Sequence, residues 1–151
     1  MSPTTPAEVR RQILGILVER AAAVLPATTT AAIFTITGAV RITGLYGICT
    51  TVCSATATNL SVVHVPTSGT NLTLASALAI ASFAAGTLVG VEGDGTALVG
   101  VTAVAAYLGM TQYPDLTTGS ISLTTSATNT GAFRWVVTYI PLESGSTLVA
   151  A

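Results

Sequence analysis

The residues with chemical potential in this sequence begin with a pair of cysteines, Cys49 and Cys53. On a continuous strand, residues four apart point to the same side but lie about 13 Å from each other, too far for a disulfide. The two residues do not form a Cys-x-x-Cys pair and no second pair exists, so a zinc site is not indicated. The sequence therefore predicts free, buried thiols that serve as small apolar residues inside a reducing compartment.

His64 is the single histidine of the chain. A Ser–His–Asp arrangement would need Asp94 or Asp115 as its third member. The sequence has no Gly-x-Ser-x-Gly pattern that would place a nucleophile on a strand-to-helix turn. We therefore expect His64 to be a strand residue with a partly buried imidazole, and we predict no catalytic residue.

Two carboxylates, Glu92 and Asp94, alternate with glycines in a short turn. Calcium sites use more oxygen ligands than two side chains supply, and the spacing of an EF-hand loop is missing. The glycines around the turn match neither a phosphate-binding loop nor a dinucleotide-binding fingerprint. The turn is interpreted as a solvated hairpin connection, and the sequence predicts a protein that is not an enzyme and has no metal or cofactor.

Charge is scarce along the whole chain. Only 11 of the 151 residues (7%) are charged, none is lysine, and five of the 11 fall within the first 20 positions, whereas ordinary soluble domains contain about 25%. The net charge of −1 lacks the clustered basic residues that nucleic-acid binding requires. Such a surface must be solvated by hydroxyl groups or covered by copies of the same chain. The composition therefore favours a subunit of an assembly.

The N-terminal segment has the signals of an amphipathic helix. Thr5-Pro6-Ala7-Glu8 matches a capping box, and Pro26 would end the helix. At 100° per residue, apolar side chains cover a wide arc of the predicted helix Pro6–Leu25. That arc packs either on the chain's own strands or between subunits as an oligomerisation or docking arm. In the second case the contact residues are Val9, Ile13, Leu14, Leu17, Ala21 and Val24.

After Thr28-Thr29-Thr30 the apolar residues alternate with a period of two, as in strands. The alternation places Trp135 on one face of its strand together with the other large side chains Phe133, Val137 and Tyr139. The predicted strands are Ala31–Thr37, Ala39–Cys53, Thr58–Val65, Ser120–Thr125 and Ala132–Ile140, with a hairpin from Thr87–Val91 and Ala97–Tyr107.

Short strands at this spacing predict a mainly β fold, a β-sandwich or small β-barrel with one N-terminal amphipathic α-helix. We divide the chain into an N-terminal helical arm (residues 1–30) and a β-domain (residues 31–151).

The segment Leu72–Val91 is uncharged and has the length of a membrane span, and a second uncharged stretch, Thr96–Gly109, follows it. A small hairpin membrane protein is therefore one alternative. The first segment consists mostly of Ala, Ser, Thr and Gly, and its flanks lack basic residues, which does not favour insertion. The secondary structure of Leu72–Ala85 stays open between helix and strand.

Three stretches of the chain resemble small structural proteins encoded in the virion gene clusters of tailed bacteriophages. They are FTITGAV (34–40), PTSGT (66–70) and the closing GAFRWVVTYIPL (131–142). The resemblance extends over roughly residues 31–151. It is a style of sequence without defined functional positions, so no site residue is transferred from it.

The resemblance implies a non-enzymatic virion protein assembled in the host cytoplasm. The leading hypothesis is a capsid decoration (cement) protein that stabilises the head by bridging capsomers. Its partners would be copies of itself, with a homotrimer favoured, and the major capsid protein or another virion protein. The alternatives are a head-fibre or tail accessory or adaptor protein and the small membrane protein described above.

Overall fold

The computed structural model describes residues 14–101 and 107–151, together with Pro6 and Val9. Eleven strands are formed by these residues. They are β1 (Ile16–Val24), β2 (Thr30–Thr37), β3 (Val40–Thr51), β4 (Asn59–Pro66), β5 (Leu72–Ala79), β6 (Leu88–Gly90), β7 (Val99–Val101), β8 (Asp115–Leu116), β9 (Gly119–Thr125), β10 (Ala132–Pro141) and β11 (Thr147–Ala150).

The strands form two separate antiparallel sheets. The first, sheet A, has the order β1-β10-β3-β6-β7, and β8 also pairs with β3. The second, sheet B, has the order β11-β2-β9-β4-β5. Among the described strands neither sheet closes on itself, so the mainly β prediction is confirmed in its sandwich-like form.

The predicted helix Pro6–Leu25 is wrong over Ile16–Val24, which is strand β1 and pairs with β10, with a shift of register between Arg20 and Ala23. Strand β1 begins directly after Gly15. The φ of Gly15 is 79°, in the left-handed region that glycine adopts without steric cost. Ile16 and Val18 pack against the core, whereas Leu17 is exposed. Most of the helix prediction before residue 14 lies outside the described residues.

One continuous apolar core lies between the sheets. Trp135 and Phe133 of β10 are completely buried, with ring centroids 6.1 Å apart in a stacked arrangement. From sheet B, Phe34 and Ile121 enter the same cluster. The predicted common face of β10 is thus confirmed as the inner face of sheet A.

Gly47 of β3 lies directly opposite Trp135 in the ladder. A Cβ atom at Gly47 would stand 3.0 Å from atoms of the indole ring. The absence of a side chain therefore lets the largest residue of the core lie against the backbone of the neighbouring strand.

The outer face of sheet B presents hydroxyl groups. The hydroxyls of Thr30 and Thr124 are 2.9 Å apart across the β2–β9 pair, and Thr35 lies opposite Ser120. Residues of the same strands on the inner face, such as Phe34 and Ile121, are buried. Hydroxyls thus supply much of the polar surface that charged residues provide in other proteins.

The segment left open by the sequence forms strand β5, and the predicted Gly-rich hairpin forms from β6 and β7. The middle of the predicted second hairpin strand, residues 102–106, lies outside the described residues. In the part of the chain that the structure describes, no helix is long and apolar enough to cross a bilayer.

Candidate functional site

Strand β1 is a long, exposed edge of the fold. It hydrogen-bonds to β10 on one side, and no described strand pairs with its other side. On its outer face, Leu17 is 63% exposed and Val24 is 66% exposed. A long edge with unpaired backbone groups and exposed apolar side chains is a template for pairing with another chain.

Three of the residues predicted as contacts of a helical arm therefore lie on a strand instead of a helix. Leu17, Ala21 and Val24 belong to an edge strand, and Leu14 lies just before it, 69% exposed. Val9 is also exposed, and Ile13 lies outside the described residues. The described apolar positions among them are exposed, and those after Gly15 lie along a strand edge.

The edge strands of the two sheets meet beside this surface. Arg20 of β1 donates a hydrogen bond from Nε to the backbone oxygen of Ala151, directly after β11, at 3.3 Å. Val149, on the exposed side of β11, adds an apolar side chain near the same rim. We call β1 together with β11 the open edge of the molecule.

Most of the described charged side chains are occupied within the fold. Arg41 binds Asp115 through two hydrogen bonds of 2.7 and 2.9 Å, which joins β8 to β3 and lowers the pKa of the Asp115 carboxyl. Arg134 binds Glu19 at 3.1 Å across the β1–β10 pair. Such exposed pairs contribute little to stability, but they leave few charges free to solvate the surface.

The carboxylate of Glu143 is also used internally, since it accepts a hydrogen bond from the backbone N–H of Ala39 at 2.8 Å. Asp94 accepts bonds from the backbone N–H and the hydroxyl of Thr96 at 2.9 and 2.5 Å. These bonds lower the pKa of the Asp94 carboxyl.

Cys49 and Cys53 are free and buried, as the sequence predicts. Strand β3 ends at Thr51, so the extended-strand distance does not apply to Cys53. The Cys49 thiol donates to the backbone oxygen of Thr51 at 3.1 Å. Burial raises the pKa of both thiols, that of Cys53 to about 12.

A buried amide lies next to the thiol pair and was not identified from the sequence. The side-chain oxygen of Asn129 accepts the backbone N–H groups of Ser54 and Gly131, at 3.0 and 2.9 Å. Its amide nitrogen donates to the hydroxyl of Thr58 at 3.1 Å. The signal in the sequence was Asn-Thr-Gly at 129–131, since Asn favours such local bonds to the backbone.

His64 faces the core from β4 and is only 4% exposed. Its Nδ1 lies 3.1 Å from the backbone oxygen of Ser120, which makes Nδ1 the protonated nitrogen, and no residue that the structure describes forms a hydrogen bond with Nε2. Burial lowers the pKa of His64. Asp94 and Asp115 are bound to Thr96 and Arg41 instead, so neither serves as the third member of a triad.

The turn that contains Glu92 and Asp94 borders a surface pocket of about 410 Å³. The backbone oxygen of Glu92 accepts bonds from the N–H groups of Thr111 and Gln112, which fixes the turn against this segment. Exposed Tyr113 and Leu72 form part of the rim. Within the described residues, no group of three or more His, Cys, Asp and Glu side chains is arranged to hold a metal ion.

No protein-family model, no curated protein and no solved structure matches this chain.

Proposed function

We propose that this chain is a non-enzymatic structural protein of a tailed-bacteriophage virion, acting as a capsid decoration protein. It assembles in the host cytoplasm as a homotrimer and then binds the major capsid protein. The proposal combines the sequence resemblance of residues 31–151 with the surface properties of the fold.

The observation that carries the proposal is the open edge. No described strand pairs with the outer side of the nine-residue strand β1, and Leu17 and Val24 are exposed beside it. The two charged residues of β1, Glu19 and Arg20, are bound to Arg134 and to the Ala151 oxygen, so the edge keeps exposed apolar side chains at which another chain could pair. The edge suits a subunit whose neighbours complete the surface.

The distribution of charge supports the same proposal. Arg41, Arg134 and Glu143 are bound to groups of the same chain. A surface of hydroxyls and small side chains is readily desolvated, because removing a hydroxyl group from water costs less than removing a charge. Assembly would then draw on buried apolar area at about 25 cal/mol per Å², less the cost of ordering.

A trimer restricts which surfaces of two neighbouring subunits can contact each other. If β1 paired with β1 of a second copy, the interface would be two-fold and would close as a dimer. A closed three-fold ring requires β1 to contact a different surface of the next subunit. The proposed trimer therefore uses the open edge in a head-to-tail manner.

The experiment is a copy-number measurement on purified particles whose genome encodes the chain. Quantitative mass spectrometry of such particles should find the chain at a number comparable to that of the major capsid protein. A copy number far below it would replace the decoration role by a head-fibre or tail accessory role. Absence from the particle, with recovery in host membranes, would overturn the proposal in favour of a membrane protein.

A further inference from the structure

The end of β3 brings the two cysteines to one backbone oxygen. Cys53 donates its backbone N–H to the oxygen of Phe83 at 2.9 Å, and Sγ of Cys49 lies 3.8 Å from the same oxygen. Gly131 leaves the space that the sulfur occupies, since a Cβ there would collide with Sγ of Cys53. Both cysteines therefore lie in one small buried site around the Phe83 oxygen.

We infer that Cys49 and Cys53 are an oxidation site, at which a small-molecule disulfide converts the two thiols into an intramolecular disulfide. The inference rests on the position of both cysteines beside the Phe83 oxygen and on the end of strand β3 at Thr51. It does not depend on the proposed virion function.

The reaction balances as two thiol–disulfide exchanges. The Cys49 thiolate attacks one sulfur of the oxidant, forms a mixed disulfide and releases one small thiol. The Cys53 thiolate then attacks the Cys49 sulfur, closes the Cys49–Cys53 bond and releases the second small thiol. The protein loses two protons and two electrons, and the oxidant is reduced to two thiols.

Burial raises the pKa of both thiols, that of Cys53 to about 12, so Cys49 forms its thiolate more readily and reacts first. Raised pKa values make thiolate scarce at neutral pH, so the reaction is slow there and accelerates as the pH rises. The oxidant would reach the thiols past the residues that follow β3, where Val52 is exposed although Cys53 is buried.

The disulfide would fasten the end of β3 to the loop bound by Asn129. That loop continues from Cys53 through Ser54, whose backbone N–H donates to the Asn129 side chain. Opening of this end of the sandwich would then require the loop and β3 to move together. We expect a higher melting temperature and slower amide exchange in residues 53–58 after oxidation.

The test treats the reduced full-length protein with excess oxidised glutathione at mildly alkaline pH. A second sample contains urea below the unfolding transition, which speeds opening of the loop. Intact mass should fall by two hydrogen atoms, denatured protein should retain no thiol that reacts with a maleimide, and tandem mass spectrometry should place the bond between Cys49 and Cys53.

Cys49→Ala and Cys53→Ala are the matched controls. Each should gain at most one glutathione and show no increase in melting temperature, whereas the oxidised native sequence melts at a higher temperature. If both thiols stay free in both samples, or if only glutathione adducts or intermolecular dimers form, the inference is overturned. These assays use the native sequence, so they stand even where a variant does not fold.

Discussion

Trp135 illustrates how a single residue organises the core. Its ring is completely buried, stacks on Phe133 and lies against Gly47, but its indole N–H has no hydrogen-bond partner among the described residues. Trp135→Ala should therefore lower the free energy of unfolding by about 3–5 kcal/mol. Trp135→Phe should cost clearly less, because it keeps the aromatic stack and loses no hydrogen bond. Urea denaturation of both variants measures this, and equal losses would contradict the packing account.

Two glycines of β3 offer a matched pair for the same contact. A Cβ at Gly47 meets the Trp135 ring at 3.0 Å, whereas at Gly44 the nearest atom is the Thr138 hydroxyl oxygen at 3.6 Å. Gly47→Ala should destabilise the protein by about 1–3 kcal/mol through overpacking. Gly44→Ala should be neutral or stabilise by about 0.5 kcal/mol, because glycine weakens a strand. Thermal melts measure both variants. If they have the same melting temperature, the placement of Trp135 against Gly47 is contradicted.

His64 makes stability depend on pH. Its pKa in the fold is lowered from 6.5 by burial, so near and below that pH the unfolded chain binds a proton that the folded chain does not. The stabilisation by neutral His64 is thus complete above about pH 6.5 and is lost as the pH falls toward the lowered value. Melting temperature should decrease between about pH 7.5 and pH 5.5. In His64→Leu this dependence should largely disappear; if the variant keeps it in full, another group is responsible.

At the residue scale, the sequence predicted which side chains are buried better than it predicted which residues lie beside each other. The alternation in β10 assigned Trp135 to the inner face because a strand has a period of two. The position of Cys49 and Cys53 beside one backbone oxygen was not predictable from that rule, since it depends on where β3 ends. That end depends on the partners of Cys53 and Ser54, which lie at Phe83 and Asn129 far along the chain.

At the element scale, β1 shows two patterns in one segment. Thr5-Pro6-Ala7-Glu8 and the wide apolar arc favour a helix, but Ile16–Val24 also alternates inward and outward side chains. Pairing with β10 supplies backbone hydrogen bonds and lets Ile16 and Val18 reach the core. Tertiary contacts of this kind override local helix signals. The strands without competing signals, such as β9 and β10, were predicted nearly to their ends.

The open edge can be tested by charging it. Leu17→Lys places a cation on the exposed face of β1 without touching the core, so the fold should persist while assembly weakens by at least about tenfold. Leu108→Lys is the control, because Leu108 is 97% exposed and lies outside β1. Sedimentation of both variants across a concentration series measures the effect, with circular dichroism to verify the fold. Equal assembly of the two variants would exclude β1 from the interface.

At the scale of the whole molecule, the mainly β class followed from short strands and turn signals. The assignment of strands to sheets did not. β9 and β10 are consecutive but lie in opposite sheets, because the loop with Asn129 carries the chain across the sandwich. β1 and β10 pair although they lie near opposite ends of the chain. Such long-range pairings leave no local mark in a sequence.

The central claim is that this chain is a subunit that completes its surface with copies of itself. Native mass spectrometry of the full-length protein at micromolar concentration tests it most directly, since the mass counts the subunits. The open edge, the scarcity of free charge and the sequence resemblance together predict a trimer that persists on dilution through this range. A monomer that stays monomeric at these concentrations would contradict the claim.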